Sequence, residues 1–156
     1  SPASFPMYAS ITRGSACASA AEPSMSLRPW SSTTTRSVSA EMHSGFQALR
    51  QHFPMNMRST FANRGTTPEV QADVNRILAL WRDARRRFGA GGPFLFGEFS
   101  AADCMYAPVV SRFRTYKVEL DDEARAYFDA VWATPAMQEW VTAATNEPMI
   151  IEKYEF

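Results

Sequence analysis

Few side chains of this 156-residue sequence have the types and spacing that catalysis or metal binding requires. The two histidines, His43 and His52, have no cysteine or acidic partner at the spacing of metal ligands, so we expect no metal site. The two cysteines, Cys17 and Cys104, form no disulfide framework, which favours a reducing compartment. We expect Cys104 to behave as a small buried hydrophobe, because no activating cation or base is evident near it.

The most informative polar pair is Ser100 and Asp103. Serine followed three residues later by an acid is an aspartate version of the capping box, in which each side chain bonds the backbone of the other. Ser100 is the predicted N-cap, and the acid also lies at the positive end of the helix dipole. The pair predicts a structural role at the start of a buried helix, rather than catalysis.

The helices that must position these groups follow from apolar spacing and caps. A first helix is predicted from about Thr33 to just before Pro54 and a second from Thr67 to Gly89, with Thr-Pro as its start signal. The helix after Ser100 extends to about Tyr116. A fourth helix is capped by Asp121 or Asp122, and a fifth begins at Thr134-Pro135. Strand-like sequence is confined to residues 94–96, so the predicted fold is all-α, a helical bundle.

Charge and hydropathy exclude several classes of function. Sixteen basic and sixteen acidic residues cancel, so no overall field attracts nucleic acid or anionic lipid. No apolar run approaches the roughly 18 residues of a membrane span. Four arginines crowd the end of the second helix, at positions 82, 85, 86 and 87. They are typical of a helix C-terminus, and a phosphate or nucleic-acid patch is a distant alternative.

Residues 1–32 differ in composition from the rest of the chain. They are rich in serine, proline and alanine, contain Glu22 as their one acid, and show no sustained helix or strand period. We expect a disordered or non-native segment there, and residues 33–156 as the folded domain. A transit peptide is an alternative. A stretch translated out of frame is slightly favoured, because ordered sequence begins abruptly near Arg36.

Several segments together resemble the all-helical C-terminal domain of glutathione S-transferases. They are residues 93–97 (PFLFG), residues 100–103 (SAAD) and residues 107–108 (AP) inside the following helix. Residues 36–46 (RSVSAEMHSGF), followed by residues 54–58 (PMNMR), are similar to the opening helix of this domain in a bacterial subgroup. The resemblance extends from about Val38 to the C-terminus.

The resemblance implies how work is divided within such enzymes. Glutathione, the family's co-substrate, binds mostly to an N-terminal thioredoxin-like half that supplies the catalytic Ser, Tyr or Cys, and the helical half forms the wall that holds a hydrophobic electrophile. Residues 1–32 are too short for that first half. A single βαβ unit already needs about 30 residues, and a thioredoxin-like half needs additional strands. The resemblance places the first helix and the helix after Ser100 beside the cleft. The candidate wall residues are Met42, His43, Phe46, Arg112, Phe113 and Tyr116.

Core packing is the stronger interpretation for Met42, Phe46 and Phe113, which fit apolar stripes. Arg112 and Tyr116 lie one turn apart and are candidates to meet an anionic ligand or a neighbouring acid. We expect a cytoplasmic glutathione transferase-like protein that, as this chain alone, binds no cofactor, has no catalytic residue and is inactive. A homodimer is expected. The alternative is a non-catalytic helical module for protein interaction or dimerisation.

Overall fold

The computed structural model describes residues 33–62 and 64–152, and these residues form six α-helices. The all-α prediction is confirmed, and the only β-type pairings among the described residues are two isolated bridges within residues 94–98. The helices are α1 (Thr33–Ser44), α2 (Gln47–His52), α3 (Pro68–Phe88), α4 (Ala101–Thr115), α5 (Asp122–Trp132) and α6 (Pro135–Asn146). The expectation of disorder for residues 1–32 falls outside the described part of the chain.

The predicted first helix is broken into α1 and α2, so its continuity was wrong. Phe46 adopts a left-handed backbone conformation with φ of 57°, which ends the regular helical path between Ser44 and Gln47. The Phe46 side chain is nonetheless buried in the core. Burial of this ring compensates for a backbone conformation that is unfavourable for a residue with a side chain.

The start of α2 receives its cap from another helix. Phe46 offers no side-chain acceptor, and the N–H of Leu49 donates instead to Oδ2 of Asp73 on α3 at 2.9 Å. A bidentate pair between Arg76 and Glu41, at 2.7 and 3.0 Å, ties α1 to the same helix. Both halves of the broken segment are therefore anchored to α3.

Helix α3 begins as predicted, with the N–H of Val70 donating to Oγ1 of Thr67 at 3.3 Å and proline at the first helical position. Its apolar seam is buried except for Phe88, which is 37% exposed. The terminal arginines have local partners: Arg82 pairs with Asp121, Arg86 with Glu123, Arg87 with Asp83, and Arg85 donates to the carbonyl of Pro93. Arg82, Arg85 and Arg86 thus link α3 to neighbouring segments, whereas the Arg87 pair lies within α3.

A tight turn leads from α3 into α4. Phe94 and Gly97 exchange backbone hydrogen bonds of 3.3 and 3.2 Å, and Gly97 has a positive φ of 85°. A side chain at Gly92 would place its Cβ 1.9 Å from the carbonyl oxygen of Gly97, so only glycine fits there. The turn buries Leu95 completely.

The C-terminal part of the domain also begins as predicted. Asp121 caps α5 by accepting from the N–H of Ala124 at 2.9 Å. Thr134 precedes α6, but its hydroxyl donates back to the carbonyl of Val131 at 2.8 Å, and no side-chain cap forms. Helix α1 packs on α4, α2 on α3, and α5 on α3, α4 and α6. No helix of the described residues is long and apolar enough to cross a membrane.

Trp81 lies at the centre of the core. This fully buried ring on α3 contacts Tyr106 and Phe113 of α4, with ring centroids 5.8 and 5.5 Å away. It meets Tyr127 of α5 edge-on, at 4.7 Å. One indole thus joins three helices.

Candidate functional site

The predicted capping box at Ser100 and Asp103 is formed. One carboxylate oxygen of Asp103, Oδ2, accepts from the backbone N–H of Ser100 at 2.8 Å and from its hydroxyl at 2.7 Å. The other oxygen, Oδ1, accepts from the N–H of Leu95 at 3.1 Å. The third bond extends the box beyond the usual two-residue device and fixes the preceding turn to α4.

Protein atoms enclose Asp103 on all sides. Its side chain is fully buried, and this burial raises the pKa of the carboxyl group above its usual range, against the lowering effect of its hydrogen bonds. The Tyr127 hydroxyl lies against the same carboxylate without a hydrogen bond of ordinary geometry. Burial and the nearby carboxylate raise the pKa of Tyr127 well above its usual value. A fully enclosed acid of this kind stabilises the fold and does not reach a substrate.

The three candidates on the first helical segment lie in different environments. Met42 is half-buried and packs against the core, His43 is exposed, and Phe46 is buried. Arg50 donates to the carbonyls of both His43 and Gly45, which braces the break between α1 and α2. Of the three, Met42 and His43 retain surface that a ligand can contact.

Two candidates at the C-terminal end of α4, Arg112 and the C-cap residue Tyr116, form hydrogen bonds with the backbone that follows α2. The Nε of Arg112 donates to the carbonyl of Phe53 at 2.8 Å, and the hydroxyl of Tyr116 donates to the carbonyl of Pro54 at 3.1 Å. The Tyr116 ring stacks on Phe53 with a centroid distance of 4.1 Å. Burial lowers the pKa of Arg112 to about 10, so its guanidinium remains charged at neutral pH. Arg112 and Tyr116 therefore lie on one face, as predicted, and their side chains donate to backbone carbonyls.

Phe113 is 1% exposed and packs against Trp81 in the core. Three concavities of about 230, 290 and 160 Å³ are present near these helices. Phe113 contributes to the wall of the second and Tyr116 to that of the third, whereas the other four candidates line none of these three. The predicted residues thus do not converge on one of these concavities.

Cys104 was predicted to be buried, and that was wrong. Its position in the first turn of α4 leaves the side chain exposed. Partial burial of the sulfur, and then the neighbouring Asp103, raise the pKa of the thiol, which disfavours a reactive thiolate. The apolar spacing of α4 did not reveal this, because cysteine is compatible with either face.

Sequence reasoning also missed a group of cations at the end of α4 and on α5: Arg114, Lys117 and Arg125. Together with Trp132 they line the 290 Å³ concavity. The signal available in the sequence was the three-residue spacing of Arg114 and Lys117 at a helix end, next to an aromatic helix. Among the described residues, no group of three or more His, Cys, Asp or Glu side chains is arranged to hold a metal ion.

Comparison with known proteins places these observations in a family. A family model described as the glutathione S-transferase C-terminal domain matches residues 64–143, more than half of the chain. No curated protein and no solved structure matches it. The matched region contains α3, the buried capping box, α4, α5 and most of α6. The chain belongs to the glutathione S-transferase C-terminal domain family.

Proposed function

We propose that α1 and α4 form a wall that holds a hydrophobic electrophile during glutathione transfer. Glutathione itself is bound and activated by groups outside the described residues. The observation that carries this proposal is the packing of α1 along α4, which is the pair of helices expected beside the cleft.

Exposure narrows the set of contact residues within that wall. Phe46, Phe113 and Tyr116 are each no more than 7% exposed, so they support the wall from behind. Met42 offers a flexible apolar surface and His43 an exposed imidazole on the same helix. These two residues are the proposed points of contact with the electrophile.

This chain alone is proposed to be inactive. Glutathione transfer requires a thiolate held at a fixed position and stabilised by preorganised donors. Ser100, Asp103 and Tyr127 are buried, and Cys104 has a raised thiol pKa. We expect neither micromolar glutathione binding by calorimetry nor turnover of chlorodinitrobenzene above a heat-denatured control. Micromolar glutathione binding, or turnover above that control, would contradict the proposal that another part of the enzyme binds and activates glutathione.

The wall itself is tested by nuclear magnetic resonance with 1,3-dinitrobenzene. This probe lacks a leaving group, so it does not arylate the exposed Cys104. We expect saturable shifts of the Met42 methyl and His43 ring signals, and binding at least threefold weaker in Met42→Ala. Met149→Ala is the matched control, because Met149 is 76% exposed and lies beyond α6. Equal weakening in both variants would contradict a specific wall.

A second candidate function, a dimerisation module, is favoured by one specific surface. Met149, Ile150 and Ile151 are 56–76% exposed, and Met55 is 42% exposed. Met55, Met149 and Ile151 line one concavity, where Arg58 donates to the carbonyls of Glu147 and Met149. Apolar surface of this kind favours association of two copies. Light scattering is expected to show a dimer that Ile150→Lys weakens, and a monomer at all concentrations would contradict it.

A further inference from the structure

The C-terminal end of α4 and helix α5 form an open concavity of about 290 Å³, which we call the α4–α5 cleft. Apolar side chains form its floor and charged side chains its rim. The lining includes Arg114, Lys117, Arg125, Phe128, Asp129 and Trp132.

The cleft concentrates positive charge in a chain whose formal net charge is zero. Its lining contains three cations and one carboxylate, Asp129. In residues 33–62 and 64–152 the ion pairs are made by other arginines, and none joins Arg114, Lys117 or Arg125 to an acid. The lining therefore carries a formal excess of two positive charges, three cations against one carboxylate.

Aromatic rings orient two of these cations. The guanidinium of Arg114 lies over the Trp132 ring, 4.1 Å from its centroid, and that of Arg125 lies 5.4 Å from the Phe128 ring centroid. The Phe128 and Trp132 rings are parallel within 5°. A ring face stabilises a cation without using its N–H donors, so the guanidinium donors remain available to an anion.

Lys117 occupies a backbone position that usually belongs to glycine. It follows the C-cap Tyr116 with φ of 54°, its N–H bonds the carbonyl of Arg114, and the N–H of Val118 bonds that of Phe113. This is the two-bond pattern of a Schellman motif, in which the left-handed residue is usually glycine. Lysine there carries a backbone cost and places an ammonium group on the cleft.

The size of the cleft limits the ligand. An apolar cavity of about 150 Å³ accommodates benzene, so about 290 Å³ holds one aromatic ring with a charged substituent. We propose that the α4–α5 cleft binds a small aromatic oxyanion, whose ring packs on the apolar floor of the cleft and whose carboxylate, sulfonate or phosphate group accepts from Lys117 and Arg125. This inference does not depend on glutathione transfer by the domain.

Three probes separate the contributions of ring and charge. Benzenesulfonate carries both, sulfate carries only the charge, and benzyl alcohol carries only the ring. We expect benzenesulfonate to shift the Lys117 and Val118 amide signals and the Trp132 indole signal saturably. Sulfate and benzyl alcohol should bind at least tenfold more weakly, and added salt should weaken benzenesulfonate binding because the charges are exposed.

Two variants test the proposed donors. Lys117→Gly and Arg125→Gln should each weaken benzenesulfonate binding at least fivefold. Lys117→Gly should at the same time keep or raise the melting temperature, because glycine accepts the left-handed conformation without cost. Arg87→Gln is the matched control, since it removes one exposed arginine charge outside the cleft.

Retained affinity in Lys117→Gly, or equal loss in Arg87→Gln, would overturn the proposal. So would saturation by benzyl alcohol or sulfate at the same concentration as benzenesulfonate. The absence of any saturable shift at the cleft would show that the cations only stabilise the aromatic rings.

Discussion

The two oxygens of the Asp103 carboxylate serve different parts of the chain. Oδ2 bonds Ser100, as any capping box would, but Oδ1 bonds the N–H of Leu95, eight residues earlier. Both acceptors are buried, so their donors cannot turn to water when the carboxylate is removed. Ser100 contributes a single hydroxyl to the same arrangement.

This difference predicts unequal costs for two truncations. Ser100→Ala should destabilise the fold by about 1 kcal/mol, the usual value of a cap. Asp103→Ala should cost about 3 kcal/mol, because two buried backbone N–H groups, those of Leu95 and Ser100, lose their acceptor at about 1–3 kcal/mol each. Urea unfolding of both single variants and the double variant measures these costs. The double variant should lose less than the sum, since both changes remove one shared arrangement.

Equal losses in the two single variants would show that the bond to Leu95 contributes nothing. The sequence predicted the box itself because Ser-x-x-Asp is a local pattern. It could not predict the bond to Leu95, which depends on how the glycine turn folds back on α4.

At the scale of elements, the break between α1 and α2 is the main departure from the sequence-based prediction. The apolar spacing of Val38, Met42, Phe46, Leu49 and Phe53 fits one continuous helix. Phe46 and Leu49 still enter the core after the break. The apolar spacing thus predicted the burial of Phe46 and Leu49. It did not predict the left-handed turn at Phe46, because phenylalanine has no preference for that backbone conformation.

The cap that α3 provides to α2 leads to a local prediction. Asp73→Ala should destabilise the domain by about 1–2 kcal/mol, since the N–H of Leu49 loses its acceptor. Hydrogen exchange should accelerate first at Leu49 and Arg50. Asp83→Ala is the control on the same helix, because its pair with Arg87 is exposed and is worth about 0.2–1 kcal/mol. Uniform acceleration across all helices would mean that α2 does not open separately.

For the whole molecule, the starts of five helices, α1, α3, α4, α5 and α6, were predictable because each depends on a few neighbouring residues. The positions of Arg112 and Tyr116 were not. Their donors reach carbonyls 59 and 62 residues away in sequence. The exposure of Cys104 also depends on which neighbours cover α4. Long-range contacts of this kind leave no periodic signal in a single sequence.

Because Trp81 joins three helices, we expect the domain to unfold in a single transition. Trp81→Ala should cost about 3–5 kcal/mol, because it empties the point where α3, α4 and α5 meet. Trp140→Ala, on the half-buried face of α6, should cost clearly less. Circular dichroism and tyrosine fluorescence should follow the same unfolding curve in the native chain. Separate transitions would contradict a single core organised around this indole.

The dependence of α2 on Asp73 has a consequence for biosynthesis. Residues 47–52 leave the ribosome before residue 73 does, and an isolated six-residue helix is too short to persist in water. The segment that carries Leu49 and Phe53 must therefore wait, unpaired, until α3 has emerged and can supply its carboxylate. Nascent chains stalled when residues 47–53 have left the exit tunnel but residue 73 has not should expose this apolar segment to chaperones, whereas chains in which all of α3 has emerged should protect it.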